Sequence, residues 1–295
     1  MIMRKRDAAA LLLVAATVAC TLSCAGIPTD IAGRSERHEV EVVGNLRYAD
    51  DGLLDISSKH WLDVYRPKDA DHAPVLIFIH GGAWRLGDKS LHPNVGQTFA
   101  QRGIVTVSVN YALAPFGKHP DQVHDAARAF EWVKKNIAKY GGDPDDVFLS
   151  GHSAGGHLAA LLVLNDKYLK ERGYSQKDVR GLIGLSGLYR VAGTGPVFVG
   201  IFDNNEETIR DASPVMHVDD HQPPVLLFTA QLDIAGLDGL AVEFDEALRQ
   251  HHSPVKFVRV PNRTHESEIY LIGTDGDPVT AEMTAFIRAN SRAAK

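Results

Sequence analysis

A serine set between glycines, an aspartate and a histidine are the residues of this chain whose types and spacing could do chemistry. Gly151, His152, Ser153, Ala154 and Gly155 spell Gly-x-Ser-x-Gly. Apolar residues 147–149 come just before this motif, and residues 158–163 just after it are apolar again. That order reads as a strand, a sharp turn with Ser153 at its tip, and a buried helix, an arrangement that lifts a side-chain oxygen above a sheet. Glycines suit the flanking positions because the turn is strained and strand and helix pass close to each other. A hydroxyl is a weak nucleophile until a base takes its proton and a third group orients that base. Ser153 therefore calls for an Asp or Glu and then a His at later strand ends.

Both are present. Asp233 follows the apolar run 225–229, and His265 follows the run 255–260. Asp233 would fix the imidazole tautomer, and His265 would serve as general base and then general acid. Asp238 is the rival acid. Among rival bases, His251 and His252 precede the last strand, and His221 precedes the strand of Asp233. Attack on a carbonyl also needs N–H donors for the oxygen that becomes negative. His80, Gly81, Gly82, Ala83 and Trp84 follow the apolar run 74–79 at another strand end. The N–H groups of Gly82 and Ala83, in a loop shaped by Gly81, and that of Ala154 after the nucleophile are the expected donors. His152 and His157 do not stand at the i, i+4 spacing of a helical zinc pair, and no third ligand is evident, so neither metal nor cofactor is implied.

These residues need a scaffold of strands and helices. Residues 38–47 alternate apolar and polar, and residues 61–65 read as a second short strand, together an antiparallel entry to a sheet. The runs 74–79, 104–109, 147–149, 182–186, 225–229 and 255–260 suit strands covered on both faces. Between them, Val123, Ala126, Ala127, Phe130, Val133 and Ile137 recur at the helical period, and Gly141 and Gly142 end that helix. Phe244 and Leu248 mark another helix. A last one starts at Asp277 as N-cap and Pro278 in the first turn, with Val279, Met283, Phe286 and Ile287 buried. The expected fold class is α/β: a mostly parallel central sheet with helices on both faces. Ligands in such sheets bind at the carboxyl ends of strands, where Ser153 would stand.

The chain has 295 residues, 44% hydrophobic and 23% charged, with a formal net charge of -6. It carries no basic stripe, which argues against nucleic acid as a partner. Residues 1–24 read as a signal peptide: Arg4, Lys5 and Arg6 precede an apolar stretch of roughly a dozen residues, too short for a comfortable membrane span. Both cysteines, Cys20 and Cys24, lie in this segment, so the exported body has no internal disulfide. Thr21, Leu22, Ser23 and Cys24 resemble a bacterial lipoprotein cleavage box, with Thr21 where leucine is usual, and Cys20 ends a second, similar run. The expectation is export to a bacterial cell envelope, with membrane anchoring through a lipidated Cys24, or secretion. Residues 25–295 form one catalytic domain.

Taken together, the motifs resemble the alpha/beta-hydrolase superfamily. The nearest branch is that of esterases with a His-Gly-Gly oxyanion loop: feruloyl and acetyl-xylan esterase-like, hormone-sensitive-lipase-like or kynurenine-formamidase-like. Residues 62–67, 80–84, 87–89, 110–115, the serine turn and residues 264–269 carry the likeness. The loop reads Gly-Gly-Ala where Gly-Gly-Gly is common, and residues 116–120 depart from the hormone-sensitive-lipase pattern. The resemblance implies a short cap over the site at about residues 189–217. Trp84, Tyr189, Phe198 and Phe202 are the candidates to line a pocket there; the alternative for the cap residues is that they simply close the core. The resemblance also implies a serine carboxylic-ester hydrolase acting on a small-molecule ester with a short acyl group. An N-formyl amide hydrolase is the alternative, and a non-catalytic envelope binding protein a further one. A peptidase of the prolyl-oligopeptidase type is not expected, since such enzymes carry a large N-terminal propeller.

Overall fold

The computed structural model describes residues 37–49, 59–192, 195 and 197–292. The signal segment and Cys24 lie outside the described residues. Eight strands form one sheet: β1 Val40–Arg47, β2 Trp61–Pro67, β3 Ala73–Ile79, β4 Val105–Val109, β5 Gly142–His152, β6 Gly181–Leu185, β7 Val225–Leu232 and β8 Val255–Thr264, in the order β1-β2-β4-β3-β5-β6-β7-β8. β1 and β2 pair antiparallel, β2 pairs antiparallel with β4, and every later pairing is parallel. The sequence predicts each of these strands within a few residues at the ends. β5 departs most, running from the Gly142 turn to the residue before Ser153.

Side-chain alternation divides the core between the faces. Val75, Ile77 and Ile79 of β3 point to one side, and Leu76 and Phe78 to the other. The helices are α1 Pro93–Ala100, α2 Asp121–Asn136, α3 Ala154–Leu164, α4 Lys167–Lys170, α5 Glu206–Asp211, α6 Leu237–Gln250, α7 His265–Tyr270 and α8 Pro278–Asn290. Phe130 of α2, Leu161 of α3 and Phe244 of α6 pack on the first face; Phe99 of α1 and Met283 of α8 pack on the second. The central strands β4 and β6 are wholly buried, whereas the edge strands β1 and β8 are largely open. Continuous apolar runs therefore mark the doubly covered strands, whereas the run 255–260, expected to be covered on both faces, is interrupted by Lys256 and Arg259 and forms an open edge. The Asp277 carboxylate caps α8 by accepting the Thr280 N–H, with Pro278 in the first turn, as the sequence predicts. Gly141 adopts φ 80° and closes a short 3₁₀ turn, Ile137–Tyr140, that extends the end of α2.

The strand order reverses beside β3. The chain leaves β3 for β4 on one side and returns to β5 on the other, and loops at such a point diverge to leave a crevice. Parallel register sets Ile79 opposite Gly151, His152 opposite Leu185, Leu185 opposite Phe228, and Leu232 opposite Thr264. The loops after β3, β5, β6, β7 and β8 thus emerge side by side.

Candidate active site

Ser153 sits between β5 and α3 with φ 55° and ψ -120°, a backbone conformation costing on the order of 1–3 kcal/mol in a non-glycine residue. The turn is tight because strand and helix touch. A Cβ on Gly155 would lie 2.0 Å from the Ile79 carbonyl oxygen, and one on Gly151 would lie 2.3 Å from the Gly155 backbone. The Ser153 N–H is held by the Leu185 carbonyl at 2.9 Å. Ser153 is half-buried while its neighbours on both sides are buried, so it is the open point of the turn.

Asp233 and His265 meet across the ends of β7 and β8. The His265 Nδ1–H donates to Asp233 Oδ1 at 2.7 Å, which fixes the tautomer that leaves Nε2 free to accept a proton. The other Asp233 oxygen accepts from Ser186 Oγ at 2.5 Å and Thr229 Oγ1 at 3.2 Å, and the Ile234 N–H donates to Oδ1 at 2.7 Å. Burial works to raise the Asp233 carboxyl. Hydrogen bonds from His265 and Ser186 outweigh it and hold the group down to about 2. His265 is buried and begins α7. Thr264 caps that helix, its Oγ1 accepting the Ser267 N–H while Ser267 Oγ accepts the Thr264 N–H.

The loop after β3 lies against the serine turn. A Cβ on Gly81 would stand 3.2 Å from the Ser153 Cβ. Gly82 has φ 113°, and Ala83 and Trp84 follow at 50° and 57°. This left-handed run turns the chain back so that the Arg85 and Leu86 N–H groups bond the Gly82 carbonyl. Among the described residues no acceptor takes the N–H groups of Gly82 or Ala83, and that of Ala154 stands at the first position of α3. His80 braces the loop from below: its Nδ1–H donates to the Gly81 carbonyl at 2.7 Å and its ring stacks on Tyr111. Burial lowers the His80 imidazole to about 4, so it is neutral.

The pocket expectations need correction at two residues. Trp84 is fully buried; its indole N–H donates to His157 Nδ1 at 3.2 Å and its ring meets Phe202 edge-on, so it supports the loop and does not face an open pocket. Tyr189 is also fully buried, stacked on Phe244 at 4.4 Å in the core. Phe202 is buried between Trp84 and His119, and Phe198 beside it is the half-buried member of the set. The rival residues are engaged elsewhere: Asp238 pairs with Arg259, and His251 with Asp220.

Several further residues support the site. His152 does not simply turn away. Its Nε2–H donates to the His265 carbonyl at 3.0 Å, and the two rings lie 4.5 Å apart. Burial lowers its imidazole to about 3, so it acts as a neutral brace between nucleophile and base. His157, likewise lowered by burial to about 3, donates from Nε2 to the Ala212 carbonyl at 2.7 Å and so links the serine helix to the cap. Ser186 ends a run the sequence marks as a strand, which was the available signal, but its bond to Asp233 depends on β6 and β7 being neighbours.

The family model that matches this chain is BD-FAE, over residues 62–236, a span that holds Ser153, Asp233 and the loop 80–84. The chain belongs to the BD-FAE family. Its fold is that of the alpha/beta-hydrolase superfamily. Similar sequences include the probable carboxylic ester hydrolase LipM of Mycobacterium tuberculosis, 33% identical over 75% of this chain and 57% of LipM. The probable isoprenylcysteine alpha-carbonyl methylesterase ICMEL1 of Arabidopsis thaliana is 31% identical over 71% of this chain and 49% of that protein. The chain thus spans about half the length of the curated relatives it matches. A solved hyperthermophilic esterase from the archaeon Pyrobaculum calidifontis superposes with a TM-score of 0.68 at 26% identity, covering 86% of each chain.

Proposed function

We propose that this protein is a serine carboxylic-ester hydrolase. The observation that carries the reading is the His265–Asp233 pair at 2.7 Å, set at neighbouring strand ends in one row with the strained Ser153 turn. In this reading His265 Nε2 takes the Ser153 hydroxyl proton as the oxygen attacks the ester carbonyl. The N–H groups of Gly82, Ala83 and Ala154 receive the oxygen that becomes negative, in a loop whose close approach Gly81 permits. The imidazolium stays beside an ionised Asp233, then protonates the departing alcohol. Water, deprotonated by His265, releases the acid from the acyl-enzyme.

The relatives named as ester hydrolases support the bond type. The surroundings support an apolar substrate with a small acyl group. Leu86, Leu91, Val199, Ile234 and Tyr270 are exposed on the segments that follow β3, β6, β7 and β8. In the cap, Phe198 packs beside Phe202, which lies against Trp84 of the loop after β3. A panel of p-nitrophenyl acetate, butyrate and palmitate, with formyl-kynurenine, acetylated xylan and a feruloyl ester, tests the assignment. Turnover is expected on acetate and butyrate and to fall steeply at palmitate. Turnover of formyl-kynurenine alone would replace ester by formamide.

A further inference from the structure

Behind Asp233 lies a second carboxyl group that the reaction above does not use. Glu268 stands on α7, one turn beyond His265, and is 0% exposed. Among the described residues neither of its oxygens receives a hydrogen bond, and no cation pairs with it. The polar side chain within its reach is Ser186. Its titratable neighbours are Asp233 at the end of β7, Asp277 before α8 and the Tyr189 hydroxyl on the loop after β6. Asp277 is itself paired with Arg263 of β8. A carboxylate here would be a buried, unpaired charge facing two others, an arrangement that costs several kcal/mol unless a proton neutralises it. Burial pushes the Glu268 carboxyl up to about 8; the nearby Ser186 hydroxyl works against it, and the charges of Asp233 and Asp277 add to it.

Hydrogen counting at Ser186 then sets the direction of the bonds. A serine hydroxyl has one hydrogen and two lone pairs. Its hydrogen goes to Asp233 Oδ2 at 2.5 Å, and one lone pair shares the Ala230 N–H with Asp233 Oδ2, each at 3.4 Å. Ser186 therefore has no hydrogen left for Glu268 and can only accept from it. We propose that Glu268 is a positioning residue, a neutral acid whose O–H donates to Ser186 Oγ and so holds the Ser186 hydroxyl on Asp233. The chain of donors runs Glu268 to Ser186 to Asp233, with His265 donating to Asp233 from the other side. Loss of the Glu268 proton removes the donor, frees the Ser186 hydroxyl to turn toward the new carboxylate, and adds a charge beside the acid of the pair. This rests on the reading of Asp233 and His265 as orienting acid and base.

The test compares wild type with Glu268→Gln, Glu268→Ala and Ser186→Ala, each checked for folding by circular dichroism. Wild type is expected to lose kcat as pH rises through about 8. Glu268→Ala should lower kcat about tenfold at pH 7 with KM little changed, the size of one lost hydrogen bond, and Ser186→Ala should do the same. Glu268→Gln still offers an N–H donor but cannot ionise. It should recover most of the loss seen in Glu268→Ala and carry kcat on above pH 8 without the alkaline fall. A second readout does not depend on activity: infrared spectra should show the carbonyl stretch of a protonated carboxylic acid at pH 7 in wild type, absent in Glu268→Gln. The proposal is overturned if Glu268→Gln keeps the wild-type alkaline limb, or if the acid band is missing from wild type. Full turnover in Ser153→Ala would instead overturn the hydrolase reading and leave the infrared result standing.

Discussion

At the scale of single residues the site depends on orientation more than on contact strength. Asp233 makes one bond to His265 and collects four other donors, so its position is fixed from several sides. Asp233→Asn keeps the shape but offers an amide where a carboxylate accepts, which favours the wrong imidazole tautomer. The expected result is a fall in kcat by about 10⁴-fold with a normal circular dichroism spectrum. A fall below about tenfold, close to the worth of one ordinary hydrogen bond, would show that Asp233 is not the orienting acid. Ser153, Asp233, His265 and the loop 80–84 are legible in the sequence because each follows an apolar run, and strand ends are where such sheets place their chemistry. Ser186 and Glu268 are not legible. Their roles come from β6, β7 and α7 meeting in space, which spacing along the chain does not encode.

At the scale of elements, all eight strands were readable because burial on two faces leaves unbroken apolar runs and burial on one leaves alternation. The helices α1, α4, α5 and α7 were not, since four to eight residues are too few to display a helical period. α5 matters because it ties the cap to the body. Asp211 at its end accepts from His119 Nε2 at 2.9 Å, Tyr168 Oη at 2.7 Å and Asn165 Nδ2 at 3.1 Å, and pairs with Lys167. Burial opposes the charge, but these donors outweigh it and hold the Asp211 carboxyl far below its usual range. Asp211→Ala leaves those donors without their acceptor. It should cost about 2 kcal/mol in urea unfolding and raise KM for p-nitrophenyl butyrate more than it changes kcat. Unchanged stability and KM would detach this network from the cap.

At the scale of the whole molecule, the buried histidines set the response to acid. His80, His152 and His157 are held near 4, 3 and 3, burial being the main cause in each. The unfolded chain takes up protons on these residues at about 6.5, while the folded chain refuses them. The histidines' contribution is therefore full above about pH 6.5 and falls on acidification, by about 1.4 kcal/mol per pH unit for each histidine while it stays neutral; Glu268, held protonated up to about 8, acts in the opposite sense and offsets about one of the three. Asp233 adds to the loss only lower down, between its unfolded value of about 3.9 and its folded value of about 2. Urea midpoints measured from pH 6.5 to 5 should fall steadily, and less steeply in His157→Gln. A flat profile over that range would contradict the neutral, buried assignment of these rings.

The central claim is that Ser153 is the nucleophile. A fluorophosphonate that stops at the covalent stage tests it most directly, read by intact mass and by peptide mapping. The account predicts a single adduct on Ser153, formed in step with loss of p-nitrophenyl butyrate turnover, and neither labelling nor turnover in Ser153→Ala. An adduct on another residue, or a Ser153→Ala variant that still turns over the ester at the wild-type rate, would contradict it.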